Sequence, residues 1–241
     1  MQRRINDMVF HCFFEQSGTF KNCIKKLGGI AYDYDILNEF GETDYAIDLY
    51  NEIDRAYLDL SSVFDNIKQD ETIIAFFPCV RFEAQIIMWY KGNARQQKNK
   101  DDIYKLQNDL LLNKELSRNY ELVTKLAIIC LKRKIPLIIE NPYSTQHYLT
   151  RYWCLEPSII DKDRTINGDI FKKPTQYWFI GCKPKQNMLL EPITFKKKKI
   201  INDCNGFSKE GKAERSLIEP EYVERWLKMY LCDYIDGKYS L

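Results

Sequence analysis

Short segments rich in apolar residues recur along the chain and alternate with stretches that have helical spacing. Strands that are apolar at consecutive positions are buried on both faces, which is typical of a mostly parallel sheet covered by helices. The predicted strands are 8–14, 30–36, 72–78, 135–141 and the centre of 173–184, with a short strand or strand end at 45–50. The predicted helices are 17–29, a stretch ending near 67, 101–134 and 215–231, the last opened by Pro220.

This alternation predicts an α/β fold with a doubly wound, mostly parallel sheet. The chain has 241 residues, of which 45% are hydrophobic and 14% aromatic, and this is enough for one substantial core and excludes a wholly disordered chain. No apolar run reaches the length of a transmembrane helix, so no membrane partner is expected. One catalytic-type domain with a small basic appendage is the simplest organisation.

The charge is nearly balanced, with 36 basic and 34 acidic residues and a net charge of +2. This excludes a uniformly basic surface for nucleic acid but leaves room for a local patch. Residues 162–199 contain ten Lys or Arg against three Asp or Glu, together with Tyr177 and Trp178. Two interpretations remain open: a nucleic-acid surface with stacking aromatics, or a solvated face whose aromatics belong to the core.

The eight cysteines are scattered without a C-x-x-C pair, and the chain has only two histidines. We therefore expect no metal site, and we expect most cysteines to be small buried hydrophobes. The amino-terminal residues lack the apolar segment and the small-residue cleavage site of a secretory signal. A cytoplasmic protein is the resulting prediction.

Parallel α/β sheets bind ligands at the carboxyl ends of their strands, so the polar residues after each strand are the candidates. The turn from Phe14 to Thr19 offers backbone amides to an anion, but it lacks the three glycines of the dinucleotide fingerprint. The alternative interpretation of this segment is an ordinary strand-to-helix turn capped by Ser17 or Thr19.

Two further strand ends carry carboxylates. Asp33 and Asp35 are placed to bind a ribose diol, or they form a solvated pair. Asp48 is placed to accept a hydrogen bond from an adenine amino group, or it is a helix N-cap.

The strongest chemical candidates are Cys79, after Pro78 at one strand exit, and Glu140, followed by Asn141 and Pro142 at another. A thiol here is a potential nucleophile, and the nearby Arg81 would favour its thiolate. Burial would raise the pKa of Glu140, so that this group could donate a proton to a ring nitrogen. The structural alternatives are a buried cysteine and a carboxylate that caps a turn.

Taken in order, these segments resemble the motifs of the DNA cytosine-5 methyltransferase superfamily, and more closely its small, divergent branch of DNA methylase-like proteins found in phages and mobile elements. The resemblance covers most of the chain. It rests on FFEQSGTF (13–20) for the cofactor loop, AYDYDI (31–36) and YAIDLY (45–50) for ribose and adenine, FFPCVRFE (76–83) and IIENP (138–142) for catalysis, KPTQYWFIG (173–181), and RSLIEPEYVERWL (215–227).

The resemblance implies a Rossmann-like class I methyltransferase. Its catalytic core would span residues 1–160. A small basic segment with one core strand and a reduced recognition region would span 161–214, and a helix that packs back on the core would lie within 215–241. The implied cofactor is S-adenosylmethionine and the implied partner is DNA. The cofactor residues would be Phe14, Glu15, Gln16, Ser17, Gly18, Thr19, Asp33, Asp35, Asp48 and Pro78.

The mechanism that the resemblance implies is methylation of cytosine C5. The thiolate of Cys79 would add to C6, Glu140 would hydrogen-bond or protonate N3, and Arg81 would assist. A base in duplex DNA would first be flipped out. The substrate-binding residues would be Asn141, Pro142, Lys173, Thr175 and Gln176.

The chain departs from the family pattern at several positions. Gln16 stands where the cofactor loop usually has a small residue, and residues 173–176 replace an arginine-containing motif. Only residues 183–214 are available for target recognition. Two alternatives therefore stand beside the enzyme: a catalytically silent scaffold that binds nucleic acid or a protein, and an enzyme that modifies free cytidine nucleotides.

Overall fold

The computed structural model describes residues 8–194, 217–235 and 238–240. Seven strands form one sheet in the order β3-β2-β1-β4-β5-β7-β6, and β8 and β9 form a separate antiparallel pair. The strands are β1 (Val9–Phe13), β2 (Ile30–Asp35), β3 (Tyr45–Ala46), β4 (Thr72–Phe76), β5 (Leu137–Pro142), β6 (Ile159–Asp161), β7 (Thr175–Ile180), β8 (Asp233–Ile235) and β9 (Lys238–Ser240).

Helices cover both faces of the sheet. They are α1 (Thr19–Lys26), α2 (Leu49–Tyr57), α3 (Ile87–Tyr90), α4 (Asp102–Arg133), α5 (Tyr148–Tyr152) and α6 (Pro220–Tyr230). One hydrophobic cluster joins the sheet to α1 and α6 through residues such as Phe10, Ile24 and Trp226. A second cluster joins the other face to α2 and α4 through Ile53 and Leu122. The sheet is therefore doubly wound, and the predicted α/β class is confirmed.

The predicted strands and helices are confirmed to within a few residues, with two differences. The segment 45–50 contains only the two-residue strand β3 before α2 begins at Leu49. The helical stretch predicted to reach residue 67 ends at Tyr57, and a separate 3-10 turn follows at Val63–Asn66. The last helix begins at Pro220, as the sequence predicts, because a proline at the first helical position loses no hydrogen bond.

Strand β7 runs antiparallel between β5 and β6 and pairs with β5 along its whole length. Tyr177 and Trp178 are consequently buried, with 0% and 1% of their surfaces exposed. The interpretation of these two aromatics as a stacking surface for nucleic acid is therefore wrong, and the core interpretation is confirmed. The lysine run at 196–199 lies outside the described residues.

The two central strands, β1 and β4, are adjacent and parallel. The chain leaves β1 toward β2 on one side and leaves β4 toward β5 on the other. Connections that diverge in this way open a crevice at the carboxyl ends of the two strands. The loops after Phe13 and Phe76 border this crevice. In the described part of the chain, no helix is both long and apolar enough to cross a membrane.

Candidate functional site

The loop after β1 begins with a strained residue, Phe14, whose φ is +60°. A bulky side chain rarely adopts this left-handed conformation, so the surroundings must impose it. The amide of Phe14 donates to the carbonyl of Tyr34 at 2.8 Å, and its ring meets that of Phe77 edge-on with centroids 5.2 Å apart. The strain thus fixes an aromatic contact between the exits of β1 and β4.

The carboxylate of Glu15 accepts a hydrogen bond at the amino terminus of α1. Glu15 Oε1 accepts from the amide of Phe20 at 3.0 Å and from the hydroxyl of Ser17 at 3.1 Å. The N-cap residue is Gly18, with φ +67°, which has no capping side chain. Ser17 Oγ accepts from the amide of Thr19 at 3.3 Å, which agrees with the expectation that Ser17 caps this turn. Glu15 supplies the negative charge that a helix amino terminus attracts.

Glu15 belongs to a buried polar cluster with Asp33, Cys12 and Lys21. Potential ligand atoms of Cys12, Glu15 and Asp33 lie within 4.8 Å of one another, and Lys21 Nζ lies 3.3 Å from Asp33 Oδ2. Burial and the neighbouring Glu15 raise the pKa of Asp33 to about 8, and burial raises the pKa of Glu15 as well. Asp33 is fully enclosed and paired with Lys21, so it is not placed to meet a ribose.

The other two predicted cofactor carboxylates have different roles. Asp35 ends β2, and its Oδ1 accepts from the amide of Leu37 at 2.8 Å. Asp48 is the N-cap of α2 and accepts from the amides of Tyr50 and Asn51 at 3.0 and 3.3 Å. The helix-cap alternative for Asp48 is confirmed. The expected contact of Asp35 with a ribose stays a prediction, and its carboxylate holds the turn after β2.

The raised pKa of Asp33 predicts a pH-dependent stability. The folded state holds the Asp33 proton up to a higher pH than the unfolded state, whose pKa is about 3.9. The free energy of unfolding therefore falls as the pH rises from about 4 to about 8 and levels off above that. We expect wild type to lose about 2–3 kcal/mol between pH 6 and 9, and Asp33→Asn to show a much flatter profile.

Urea unfolding midpoints at several pH values between 6 and 9 measure this difference. The matched control is Asp48→Asn, because this exposed helix cap lies outside the cluster and its loss should leave the pH profile unchanged. Parallel profiles for wild type and Asp33→Asn would contradict the assignment of the titration to the cluster.

A second group of residues joins the exits of β4 and β5. The register pairs Phe76 with Glu140, so Cys79 and Glu140 follow neighbouring parallel strands. The buried amide of Asn141 donates from Nδ2 to the carbonyl of Phe77 at 2.8 Å and to the carbonyl of Glu140 at 2.7 Å. This side chain therefore ties together the two segments that carry the thiol and the carboxyl group.

The thiol of Cys79 is protonated at rest. Its pKa lies well above the ordinary value because of burial, then Glu83 and Glu140, while Lys173 acts in the opposite direction. The Sγ atom donates to Glu83 Oε1 at 3.0 Å. Arg81 instead forms an ion pair with Glu115 on α4. Lys173 is thus a cation that lowers the pKa of Cys79, and the role expected for Arg81 stays a prediction.

The pKa of Glu140 is also raised. Burial raises its pKa, and the charges of Lys173 and Arg164 only partly offset this effect. Arg164 is fully buried, donates from Nε to Asp169 at 2.7 Å, and lies 4.9 Å above the ring of Tyr222. The sequence reasoning missed Arg164, because an arginine in a polar loop gives no pattern that reveals its burial.

Two cavities flank this group. One of about 200 Å³ is lined by Phe14, Glu15, Gln16, Ser17, Thr19, Phe76, Glu140 and Lys173, together with Phe40, Leu217 and Ile218. Another of about 210 Å³ is lined by Glu83, Pro142, His147 and Lys173, together with Ala84, Gln85, Tyr143, Ser144 and Pro174. Lys173 lines both cavities and therefore lies between them. The side chain of Gln16 is half-buried, and among the described residues its Oε1 has no hydrogen-bond partner.

The largest cavity lies elsewhere. It measures about 640 Å³, is lined by Thr72 and Pro136 among others, and therefore opens at the amino ends of β4 and β5. It contains none of the predicted site residues. Ligands of parallel sheets bind at the opposite, carboxyl edge, so we give its size less weight than the chemistry of the two smaller cavities.

The remaining predicted substrate residues are committed to internal bonds. Gln176 Nε2 donates to the carbonyl of Pro142 at 2.7 Å and to the hydroxyl of Thr150 at 2.8 Å. The hydroxyl of Thr175 donates to the carbonyl of Lys173 at 3.0 Å. Thr175 and Gln176 are fully buried. They position the loop that carries Lys173, which lines both cavities, whereas Pro142 lines the cavity of about 210 Å³.

The sequence matches no protein-family model, and no curated protein matches it.

Proposed function

We propose that this protein is an S-adenosylmethionine-dependent methyltransferase that acts on cytosine C5 in DNA. The observation that carries the proposal is the pair formed by Cys79, which follows β4, and Glu140, which lies in the neighbouring parallel strand β5; Asn141 links the two segments. A nucleophile and an acid of raised pKa on neighbouring strands match the two roles that addition to a pyrimidine requires. The antiparallel β7 between β5 and β6 also agrees with the class I methyltransferase resemblance.

In the proposed reaction, Cys79 Sγ forms a bond to C6 of the cytosine. Glu140 donates its proton to N3, so that the electrons of the C5–C6 double bond become available at C5. Lys173 adds a positive charge beside both groups. Once C5 carries the transferred methyl group, the C5 proton would leave to solvent, the C5–H electron pair would re-form the C5–C6 double bond, and the S–C6 electron pair would return to sulfur. The N3 proton would return to Glu140.

The cofactor supplies an electrophilic methyl group when bound. The cavity after β1 offers it Phe14, Gln16 and Ser17. The unpartnered buried Oε1 of Gln16 is suited to accept a hydrogen bond from an ammonium group. The cavity of about 200 Å³ is below the usual size of a ligand pocket, so Gln16 must also move aside.

The test is transfer of labelled methyl from S-adenosylmethionine to DNA of mixed sequence, with calorimetric titration of the cofactor. We expect labelled 5-methylcytosine and cofactor binding, and we expect Gln16→Gly to bind the cofactor at least as well as wild type. Labelled cytidine nucleotides without labelled DNA would move the substrate to free nucleotides. Absence of both label and binding, in wild type and in Gln16→Gly, would overturn the proposal.

One observation favours a second candidate, a silent scaffold that binds nucleic acid or a protein. The carboxylate of Glu15 occupies the amino terminus of α1, where an anionic part of a ligand would otherwise bind. Salt-dependent binding of DNA without cofactor binding would support this candidate.

For either candidate we place the protein in the cytoplasm, because all seven described cysteines are free thiols.

A further inference from the structure

A tight turn after β4 brings a second carboxylate onto the Cys79 thiol. The carbonyl of Cys79 accepts from the amides of Phe82 and Glu83 at 2.7 and 3.2 Å, so the chain folds back within four residues. This places Glu83 Oε1 at 3.0 Å from Cys79 Sγ. The distance is short for a hydrogen bond that a thiol donates, and the thiol proton points at a carboxylate oxygen that can accept it.

We propose that Glu83 is the general base that removes the Cys79 proton as the sulfur attacks. The proposal rests on the proposed function and adds a catalytic residue to it. Glu83 is half-buried and lines the cavity of about 210 Å³ beside His147 and Lys173, where a substrate base would enter. The sequence resemblance assigns no role to this position.

The charged groups around the thiol leave Glu83 as the acceptor. Burial raises the pKa of Glu140, which favours its protonated form, so it is suited to donate a proton. Lys173 is a cation without a free electron pair. His147, whose pKa burial lowers to about 4, is neutral at pH 7; its Nδ1 lies 3.4 Å from Gln176 Nε2, and its Nε2 has no hydrogen-bond partner among the described residues. The carboxylate that accepts the hydrogen bond of Cys79 Sγ is Glu83.

The step balances without any further reactant. The S–H bond breaks, and its proton moves to Glu83 Oε1. The electron pair left on sulfur forms the S–C6 bond, and the C5–C6 π pair moves to C5 and the ring. When the S–C6 bond breaks at the end of the cycle, its electron pair returns to sulfur, and Glu83 gives the proton back. Thiol and carboxylate thus leave the cycle as they entered it.

This role differs from a purely electrostatic one in a measurable way. A carboxylate that only lies near a thiol raises the thiol pKa, so Glu83→Gln would make Cys79 more reactive at neutral pH. A general base instead provides a route from the neutral thiol, which is typically worth about 10²–10⁴-fold in rate. Its signature is a reaction rate that stays level over the pH range in which the base is ionised and the thiol is protonated.

The experiment is alkylation of Cys79 by iodoacetamide between pH 5 and 10, followed by peptide mass spectrometry on wild type, Glu83→Gln and Glu115→Gln. Here the sulfur bonds to carbon and iodide leaves, so the test needs no methyltransferase activity. The exposed Cys154 in each sample is the reference thiol. Glu115→Gln is the matched control, because Glu115 pairs with Arg81 on the surface side of the same loop.

We expect the alkylation rate of Cys79 in wild type and in Glu115→Gln to be independent of pH near neutrality. In Glu83→Gln this pH-independent range should disappear, and Cys79 should react at least about tenfold more slowly at pH 7. Faster alkylation of Glu83→Gln, or a wild-type rate that rises tenfold per pH unit throughout, would overturn the proposal. A level wild-type rate without any methyl transfer would refute the proposed function and leave the base assignment intact.

Discussion

Replacement of Cys79 by serine is expected to reduce methyl transfer to DNA by at least about a thousandfold. A serine hydroxyl is a far weaker acid than a thiol, and its oxygen is a poorer nucleophile toward C6, so the covalent route is lost. The fold should be unchanged, because the two side chains are similar in size and Cys79 is not among the fully buried core residues. Single-turnover transfer of labelled methyl at saturating cofactor measures the loss.

The control for this substitution is Cys154→Ser, since Cys154 is an exposed thiol on the surface. It should transfer methyl groups at the wild-type rate. DNA containing 5-fluorocytosine provides a second readout, because fluorine at C5 cannot leave as a cation and the adduct persists. Wild type should form a denaturation-resistant complex with this DNA, and Cys79→Ser should not. Full activity of Cys79→Ser would exclude the covalent mechanism.

Glu140→Gln is expected to reduce turnover by about 10²–10³-fold and to leave DNA affinity nearly unchanged. The amide has the shape of the carboxyl group but cannot give a proton to N3, so the effect should fall on kcat rather than on KM. The substitution also removes the need to bury an ionisable group, and the free energy of unfolding should therefore not fall. Steady-state kinetics together with urea unfolding measure both quantities.

Glu115→Gln is the control for Glu140→Gln as well, because it removes a carboxylate whose partner, Arg81, has no hydrogen bond to the thiol. Its kcat should equal that of wild type. If Glu140→Gln turns over as fast as this control, Glu140 has no role as a proton donor. The strand end would then only shape the crevice.

The pattern of the sequence was sufficient to predict the sheet and its ligand edge. Segments such as residues 72–76 are apolar at consecutive positions, and only a strand covered on both faces satisfies that pattern. Pro220 located the start of α6, because its missing amide costs nothing there. Once the sheet is parallel, its carboxyl edge follows, so Cys79 and Glu140 could be placed near one another from the sequence.

The reversed direction of β7 and the neighbours of each site residue were beyond the sequence pattern. A strand has the same periodicity in either direction, so burial of Tyr177 and Trp178 depended on a pairing with β5 that local sequence does not encode. The contacts of Glu15, Glu83 and Arg164 depend on side-chain rotamers and tight turns. Hydrophobic periodicity carries no information about these, which explains why the sequence did not reveal the contact of Glu15 with α1 or the pairing of Arg81 with Glu115.

The amide of Asn141 links the loop after β4, which carries Cys79, to strand β5, which carries Glu140. Its Nδ2 donates to the carbonyls of Phe77 and Glu140, and both bonds are buried. Under the proposed function, the spacing of the two groups would then depend on the sheet rather than on the loops that recognise a target. Such loops could change in length and composition during evolution while the reaction centre stays in place.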